Sequence, residues 1–522
     1  MRERPYARGV SLRRPWQAVS RDRSQVALLL AILVVVASRL PFLRLPLSRD
    51  EAGFLVLGRD WLTSAGHAVT SVPAGALYGD YWVDRPPLLL ILFRLGDLLG
   101  GAVGLRLLGT AAAVVVVLFA ALAARRVAGP RAYAATAVAA ALLLATPLNG
   151  TEVVNGELIA GPFVAVGLWA WIRPSQTVMG GLVAGAAAVA AVLVKQSFID
   201  VFVFVAIFEV LRGRALTRAR VQSWLGFVLG ATLVAVTVLG FAMAHGTSLS
   251  ALYDAMLTFR IEARSAAGLQ PNTDDRVLLM AVAVIAGGLV PLLGYAAWRL
   301  RGLRMSPDRA VIGALVAVIA YDAVAIVFGG GYWSHYLVQP ILPIAVLAGI
   351  GVAAVPAGLR WPRPWAWTAL VVVLAIITLG SNVARVLDPV DAPGAGAGAV
   401  IGASAEPGDT VMALYGDPSI VRASGLTSPY PYLWTLPIRV RDPQFELVDE
   451  VLSGPDAPTW IVVTKRVAGW QLDVPHLEQV FAERYVLVRR ACGMGIYLRA
   501  DVTRAVHQGP ASCRIDLRES WS

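Results

Sequence analysis

The sequence predicts an α-helical polytopic membrane protein of about eleven transmembrane helices, followed by a small outer α/β domain. Three observations carry this. First, 57% of the 522 residues are hydrophobic and only 15% charged, with mean hydropathy +0.66, which is more apolar surface than one soluble core can use. Second, the apolar runs are spaced so that the arginine clusters between them all fall on one side of a membrane. Third, composition changes sharply after residue 385.

The N-terminal tail, residues 1–24, is arginine-rich, and the apolar stretch after it is as long as a full span. No small-residue cleavage site closes that stretch, so it reads as a retained signal anchor. Candidate spans are 25–45, 103–124, 131–148, 158–172, 178–194, 197–211, 222–244, 277–298, 310–328, 336–355 and 364–384. Arginines then cluster at 2–23, at Arg125, Arg126 and Arg131, at Arg173, from Arg212 to Arg220, from Arg299 to Arg309, and at Arg360 and Arg363. With a cytoplasmic N-terminus every cluster is cytoplasmic, as the positive-inside rule asks.

One apolar run, Leu88 to Leu99, is left off the list of spans. As a helix it would be about 18 Å long, against a hydrocarbon core of about 30 Å. Counting it as a crossing would also throw every later basic cluster outside. It is therefore expected as a juxtamembrane or re-entrant helix on the outer face, entered through Pro86 and Pro87, within a first outer loop of 46–102.

Residues 25–385 make the transmembrane unit. The stretch 386–399, rich in Gly, Ala and Pro, reads as a linker to a soluble domain over 400–522. In that domain Thr410 to Leu414 and Trp460 to Thr464 read as buried strands, and Asp417-Pro418 as a helix start. The only two cysteines, Cys492 and Cys513, lie here, and an oxidising compartment would let them pair; two buried thiols are the alternative. The net charge of +11 does not point to nucleic acid, because cytoplasmic loop ends account for most of the arginines.

The polar residues that can carry chemistry gather in the outward loops. Asp50-Glu51 follows the first span, where a carboxylate can deprotonate an acceptor hydroxyl; a solvated acidic turn is the plainer reading. Asp84-Arg85-Pro86-Pro87 presents a guanidinium from a stiffened backbone, and a guanidinium grips two phosphate oxygens in one plane. Asp84 can orient it or bind sugar hydroxyls. Glu157 stands at the mouth of the fourth span, where a carboxylate is expensive unless it meets water or a partner.

Lys195, one of two lysines in the chain, occupies a tight outer turn and suits either snorkelling or phosphate binding. The loop 245–276, with His245, Arg260, Glu262 and Arg264, can cover such a site. Before the tenth span stands Gly329-Gly330-Gly331-Tyr332-Trp333-Ser334-His335-Tyr336, in which His335 can bond a phosphate or a saccharide hydroxyl and Tyr336 can stack on a sugar. An aromatic belt explains the tryptophan and tyrosines but not the histidine.

Taken together these residues resemble the GT-C membrane glycosyltransferases, and within them the protein O-mannosyltransferases and lipid A aminoarabinose transferases, glycosyltransferase family 39-like. Asp50-Glu51 is similar to the family's acidic pair in a large first outer loop. Arg85-Pro86-Pro87 is similar to its Lys-Pro-Pro, with arginine in place of lysine. Glu157 and His335-Tyr336 also have counterparts, and the resemblance covers roughly 25–385.

The resemblance implies Asp50 as general base, with Glu51, Asp84, Arg85, Glu157, Lys195, His335 and Tyr336 binding substrate. The implied reaction is inverting transfer of a mannose- or pentose-like sugar from a polyprenyl-phosphate donor to a protein, lipid or glycan acceptor. It would take place at the outer face of a bacterial inner membrane, a setting that the near absence of lysine beside many arginines also fits. No cofactor is implied, and no motif supports a divalent metal. Two other classes use the same features: a transporter or flippase for lipid-linked saccharides, which has no need of Asp50, and a scaffold whose outer domain binds cell-wall polymer.

Overall fold

A computed structural model describes residues 15–61, 75–172, 177–213, 217–267, 273–301, 309–354, 365–464, 475–509 and 513–517. Most of the N-terminal tail, and the expected cytoplasmic arginines 173, 214, 304, 360 and 363, lie outside these residues. Long apolar helices dominate because the apolar runs have no other way to satisfy their backbone in lipid. They are α1 (Pro15–Arg39), α4 (Ala102–Ala145), α5 (Gly156–Trp171), α6 (Val178–Val194), α7 (Asp200–Leu211), α8 (Arg218–Ala244), α11 (Thr273–Ala286), α12 (Leu289–Leu300), α13 (Arg309–Gly329), α14 (Ile341–Ala353) and α15 (Trp365–Leu387).

Two of the expected spans form the single element α4, which breaks at Ala128-Gly129-Pro130 where Gly129 takes φ +79°. Another, 277–298, becomes the bent pair α11 and α12, turned by 48°. Among the described residues, six helices are long and apolar enough to cross a membrane, or seven with the bent pair as one span. The protein is a multi-pass membrane protein.

The loops between these helices carry further helical segments. Helix α2 (Arg49–Asp60) starts at a capping box, in which Ser48 Oγ accepts from Glu51 N–H while Glu51 accepts from Ser48 N–H. Helix α3 (Pro87–Leu98) is the expected short helix, with Pro86 at its cap and Pro87 at its first position. Its Arg94 donates to the carbonyls of Gly58 (3.0 Å) and Arg59 (2.8 Å), closing the end of α2 and holding the two helices side by side. Helices α9 (Leu249–Tyr253) and α10 (Phe259–Ala267) fold the loop before α11 back over this region.

The C-terminal domain is a small α/β unit. Its four strands run in the order β2 (Val411–Leu414), β3 (Trp460–Val463), β5 (Met494–Arg499), β4 (Tyr485–Ala491), with β2 and β3 parallel and the other pairs antiparallel. Helices α17 (Pro418–Ser424), α18 (Thr435–Arg441) and α19 (Glu446–Ser453) connect β2 to β3, and α20 (Pro475–Arg484) precedes β4. The two expected strands and the helix start at Asp417-Pro418 are all present.

The expected linker is not a plain tether. Its Gly/Ala/Pro run forms the first half of α16 (Pro393–Ser404), because small residues let this helix lie directly on α17: a Cβ at Gly398 would stand 2.6 Å from Ile420 O. A short ribbon, β1 (Val390–Asp391) with β6 (Arg514–Ile515), clamps the domain's two ends. Cys492 and Cys513 form a disulfide with Cα atoms 5.5 Å apart.

Candidate active site

The docking of the C-terminal domain onto the loop between α1 and α4 builds the site. Asp417, the N-cap of α17, pairs with Arg49 at 3.0 Å, and Arg422 of the same helix pairs with Asp97 of α3. Backbone bonds extend the seam, since Trp82 N–H donates to Pro431 O (3.0 Å) and Ser428 N–H donates to Tyr81 Oη (2.8 Å). The half-buried Asp50 sits inside this seam. Among the described residues, its side chain's one hydrogen bond comes from the indole N–H of Trp434, at 3.0 Å.

Glu51 faces the other way. It is fully buried, its two oxygens held by the Arg106 guanidinium at 2.8 and 2.9 Å, by Ser48 N–H at 2.9 Å and by Val154 N–H at 2.7 Å. With those acceptor directions filled it has no lone pair to offer a ligand, so the residue expected to bind substrate instead fixes the start of α2 to α4 and the α4–α5 loop. Arg106 had no sequence signal: it is one arginine at the head of an apolar run.

Asp84 bridges two guanidiniums, Arg85 at 2.7 Å and Arg260 of α10 at 2.6 Å. Arg85 lies over the ring of Phe54, one helical turn beyond Asp50, with 5.6 Å from Cζ to the centroid. Its carbonyl accepts from Tyr78 Oη at 2.7 Å, which locks the backbone before the prolines. Burial works against the charge on Arg85, but the carboxylates of Asp84 and Asp50 outweigh it and hold the group above its ordinary range. Burial lowers Arg260, with Asp84 opposing and Arg85 adding to the drop.

The third cation is Lys195, between α6 and α7. Its ammonium pairs with Glu157 and lies 4.7 Å from the centroid of the Tyr336 ring. His335 Nε2 stands 3.7 Å from the same Glu157 carboxylate. Gly150 lets the His335 backbone close in, since a Cβ there would fall 2.6 Å from His335 N. Gln196 donates to Asp84 O at 3.1 Å, joining the lysine turn to the Asp84-Arg85 segment.

A buried polar cluster backs these turns. Gln339 Nε2 donates to Asp322 Oδ1 (3.0 Å) and lies 3.3 Å from both oxygens of Asp200, while Tyr321 Oη donates to Ser197 O (2.6 Å). It ties the starts of α7 and α14 to α13 beneath Lys195 and His335. A lone aspartate in an apolar run, as Asp322 is, was the available clue.

The expected site residues thus fall in one loop cluster: Asp84 and Arg85 with Arg260, Lys195 and His335 on Glu157 beside Tyr336, and Asp50 near enough to act on the charge of Arg85. Glu51 stands apart, buried on Arg106. Arg260 joins from the loop expected to cover the site, and Trp434 from a segment with no motif. The class is set by this scaffold: a polytopic helical membrane protein of GT-C fold with a cluster of charged side chains where the loops between its helices meet a C-terminal α/β domain.

Solved structures share that fold at low sequence identity. The arabinofuranosyltransferase AftD from Mycobacteria matches with TM-score 0.52 and 16% identity over 92% of this chain, which spans 40% of the AftD chain. The archaeal oligosaccharyltransferase AglB from Archaeoglobus fulgidus, in complex with an inhibitory peptide and a dolichol-phosphate, matches with TM-score 0.51 and 12% identity over 95% of this chain and 77% of its own. ArnT from Cupriavidus metallidurans aligns over 90% of this chain and 97% of its own, at TM-score 0.44 and 16% identity. No family model matches the sequence, and no curated protein does.

Proposed function

We propose that the protein is a membrane glycosyltransferase that moves a sugar, mannose- or pentose-like, from a polyprenyl-phosphate donor to a protein, lipid or glycan acceptor. The observation that carries this is the convergence of three cations, Arg85, Arg260 and Lys195, in the same loop cluster as Asp50. The fold shared with AftD and AglB supports it, and the dolichol-phosphate bound in the AglB structure supports a polyprenyl-phosphate carrier. We assign the cluster to the outer face of a bacterial inner membrane, with the N-terminus cytoplasmic.

In the proposed reaction the acceptor hydroxyl gives its proton to Asp50 as its oxygen attacks the anomeric carbon. The bond from that carbon to the phosphate oxygen breaks on the opposite face, so configuration inverts. The bonding pair leaves with the phosphate. Arg85 and Arg260, splayed on either side of Asp84, bind its oxygens, and Lys195 adds a point charge. Glu157 and Asp84 hold these cations in place before the donor arrives. His335 and Tyr336 line the sugar side.

Asp50→Asn is the decisive variant. General-base removal is expected to lower transfer by roughly 10² to 10⁴-fold, read as the envelope glycan formed in a deletion strain carrying the variant, while binding of undecaprenyl phosphate persists. Normal glycan in that strain would sink the catalytic reading and leave the lipid-saccharide transporter standing.

A further inference from the structure

We infer that Trp434, contributed by the C-terminal domain, is a positioning residue for Asp50, so that the outer domain completes the catalytic site and is not an appended binding module. The inference rests on the reading of Asp50 as base. Trp434 Nε1 donates to Asp50 Oδ1 at 3.0 Å. Among the described residues this is the only side-chain hydrogen bond that holds Asp50, and it leaves Oδ2 to receive the acceptor proton. Without it the carboxylate is a short side chain on the first turn of a helix, free to rotate about its last bond.

The indole is itself held from three directions. It packs at 5.6 Å on Phe54, the ring beneath Arg85, so one aromatic pair lies between the base and the first cation. Its ring covers Gly53 so closely that a Cβ there would fall 2.1 Å from Cζ2. Its backbone rests on the turn after β2, where Tyr415 and Gly416 take φ of +73° and +81° and Thr435 Oγ1 donates to Tyr415 O at 2.8 Å. The next residue of that turn, Asp417, pairs with Arg49. The domain therefore grips the residue before Asp50 by charge, the residue itself by a hydrogen bond, and the near face of α2 by packing.

Two variants test this. Trp434→Phe keeps a ring on Gly53 and Phe54 but removes the N–H. Gly53→Ala keeps the N–H but pushes the indole away, at a position where alanine is the better helix former.

Each is expected to lower the maximal rate of native product formation in membranes of the complemented deletion strain by roughly 10 to 100-fold, the scale of one lost charge-assisted hydrogen bond of about 1.5–3 kcal/mol. Undecaprenyl phosphate affinity is expected to stay unchanged in both, and thermal unfolding to stay unchanged in Trp434→Phe. In a Trp434→Ala background, Gly53→Ala should have no further effect, because the space it needs is vacant. A wild-type rate for Trp434→Phe overturns the inference, as does a loss matched by weakened undecaprenyl phosphate binding or unfolding. If Asp50→Asn still abolishes transfer in that case, the base reading stands without Trp434; if Asp50→Asn is active, the base reading is what failed.

Discussion

Lys195 shows how a single side chain's setting fixes the conditions under which the site can work. Burial pushes its ammonium below the ordinary lysine range; Glu157 opposes that, and Arg85 adds to it. The charged form is the one that meets a phosphate, so the useful state is lost as pH rises through this lowered value. Transfer should therefore fall on the alkaline side earlier than an exposed lysine would dictate. Lys195→Arg should move that limb upward, since a guanidinium stays charged throughout. A pH–rate profile of the two proteins is the check, and coincident alkaline limbs would remove Lys195 from the charge balance.

At this scale the sequence displayed most of the cluster. Asp50, Asp84, Arg85, Glu157, Lys195 and His335 are polar residues at the mouths of apolar runs, where a charge needs a reason. Partners were harder to read. Nothing in the sequence distinguishes Trp434 from the chain's other tryptophans, and its bond to Asp50 spans 384 positions. Glu51 looked like half of a functional pair because adjacency along the chain hides that successive helical residues point in different directions.

Among the elements, the packing of α6 on α8 is the most demanding contact, and it falls in the half of α6 that is farther from the lysine turn. A Cβ at Gly181 or Gly185 would lie 1.9 Å from Ser223 O or Phe227 O, and one at Gly226 or Gly230 would lie 2.1 or 2.0 Å from Val178 O or Leu182 O. Four glycines thus let two backbones touch, the usual device for joining helices in lipid, where no hydrophobic drive separates one apolar surface from another. Gly185→Val should separate the helices, costing about 1–3 kcal/mol or more by overpacking. Gly240→Ala, on the same helix α8 with nothing within 4 Å of its Cβ, should be tolerated. Thermal unfolding in detergent separates the two; equal losses would mean that the interface does not depend on close approach.

Element types followed from apolar length and proline position, which is why α3 and α6 fall where the sequence puts them. Breaks did not. Gly129 divides α4 and Gly287-Gly288 bends the α11–α12 pair, yet glycine is so common in this chain, with 49 residues, that no single one announces a break. The stretch 393–399 is hard to read for a related reason: a run of Gly and Ala suits a tether in isolation and a tightly packed helix once α17 supplies the opposing surface.

For the whole molecule, the docked C-terminal domain limits how the chain can thread a membrane. Arg49 and Asp97 bracket the first outer loop, and both pair with α17. The loop and the domain must then share one side, so the number of crossings between residues 98 and 388 is even. Counting only the helices that are individually long enough gives α4, α8, α13, α14 and α15 after that loop, an odd number that would put the domain on the wrong face. Taking the two arms of α4 separately, adding α5, α6 and α7, and treating α11 with α12 as one span gives ten, which is even and makes eleven with α1. The arginine clusters reach the same count by a different physical route, through the cost of translocating positive charge. Reporter fusions after Thr151 and after Ala399 should accordingly both report the outer side. A cytoplasmic signal after Thr151 would make α3 a true crossing and set the arginine distribution against the ion pairs of the docked domain; the two criteria agree only if α3, at about 18 Å, stays out of the count.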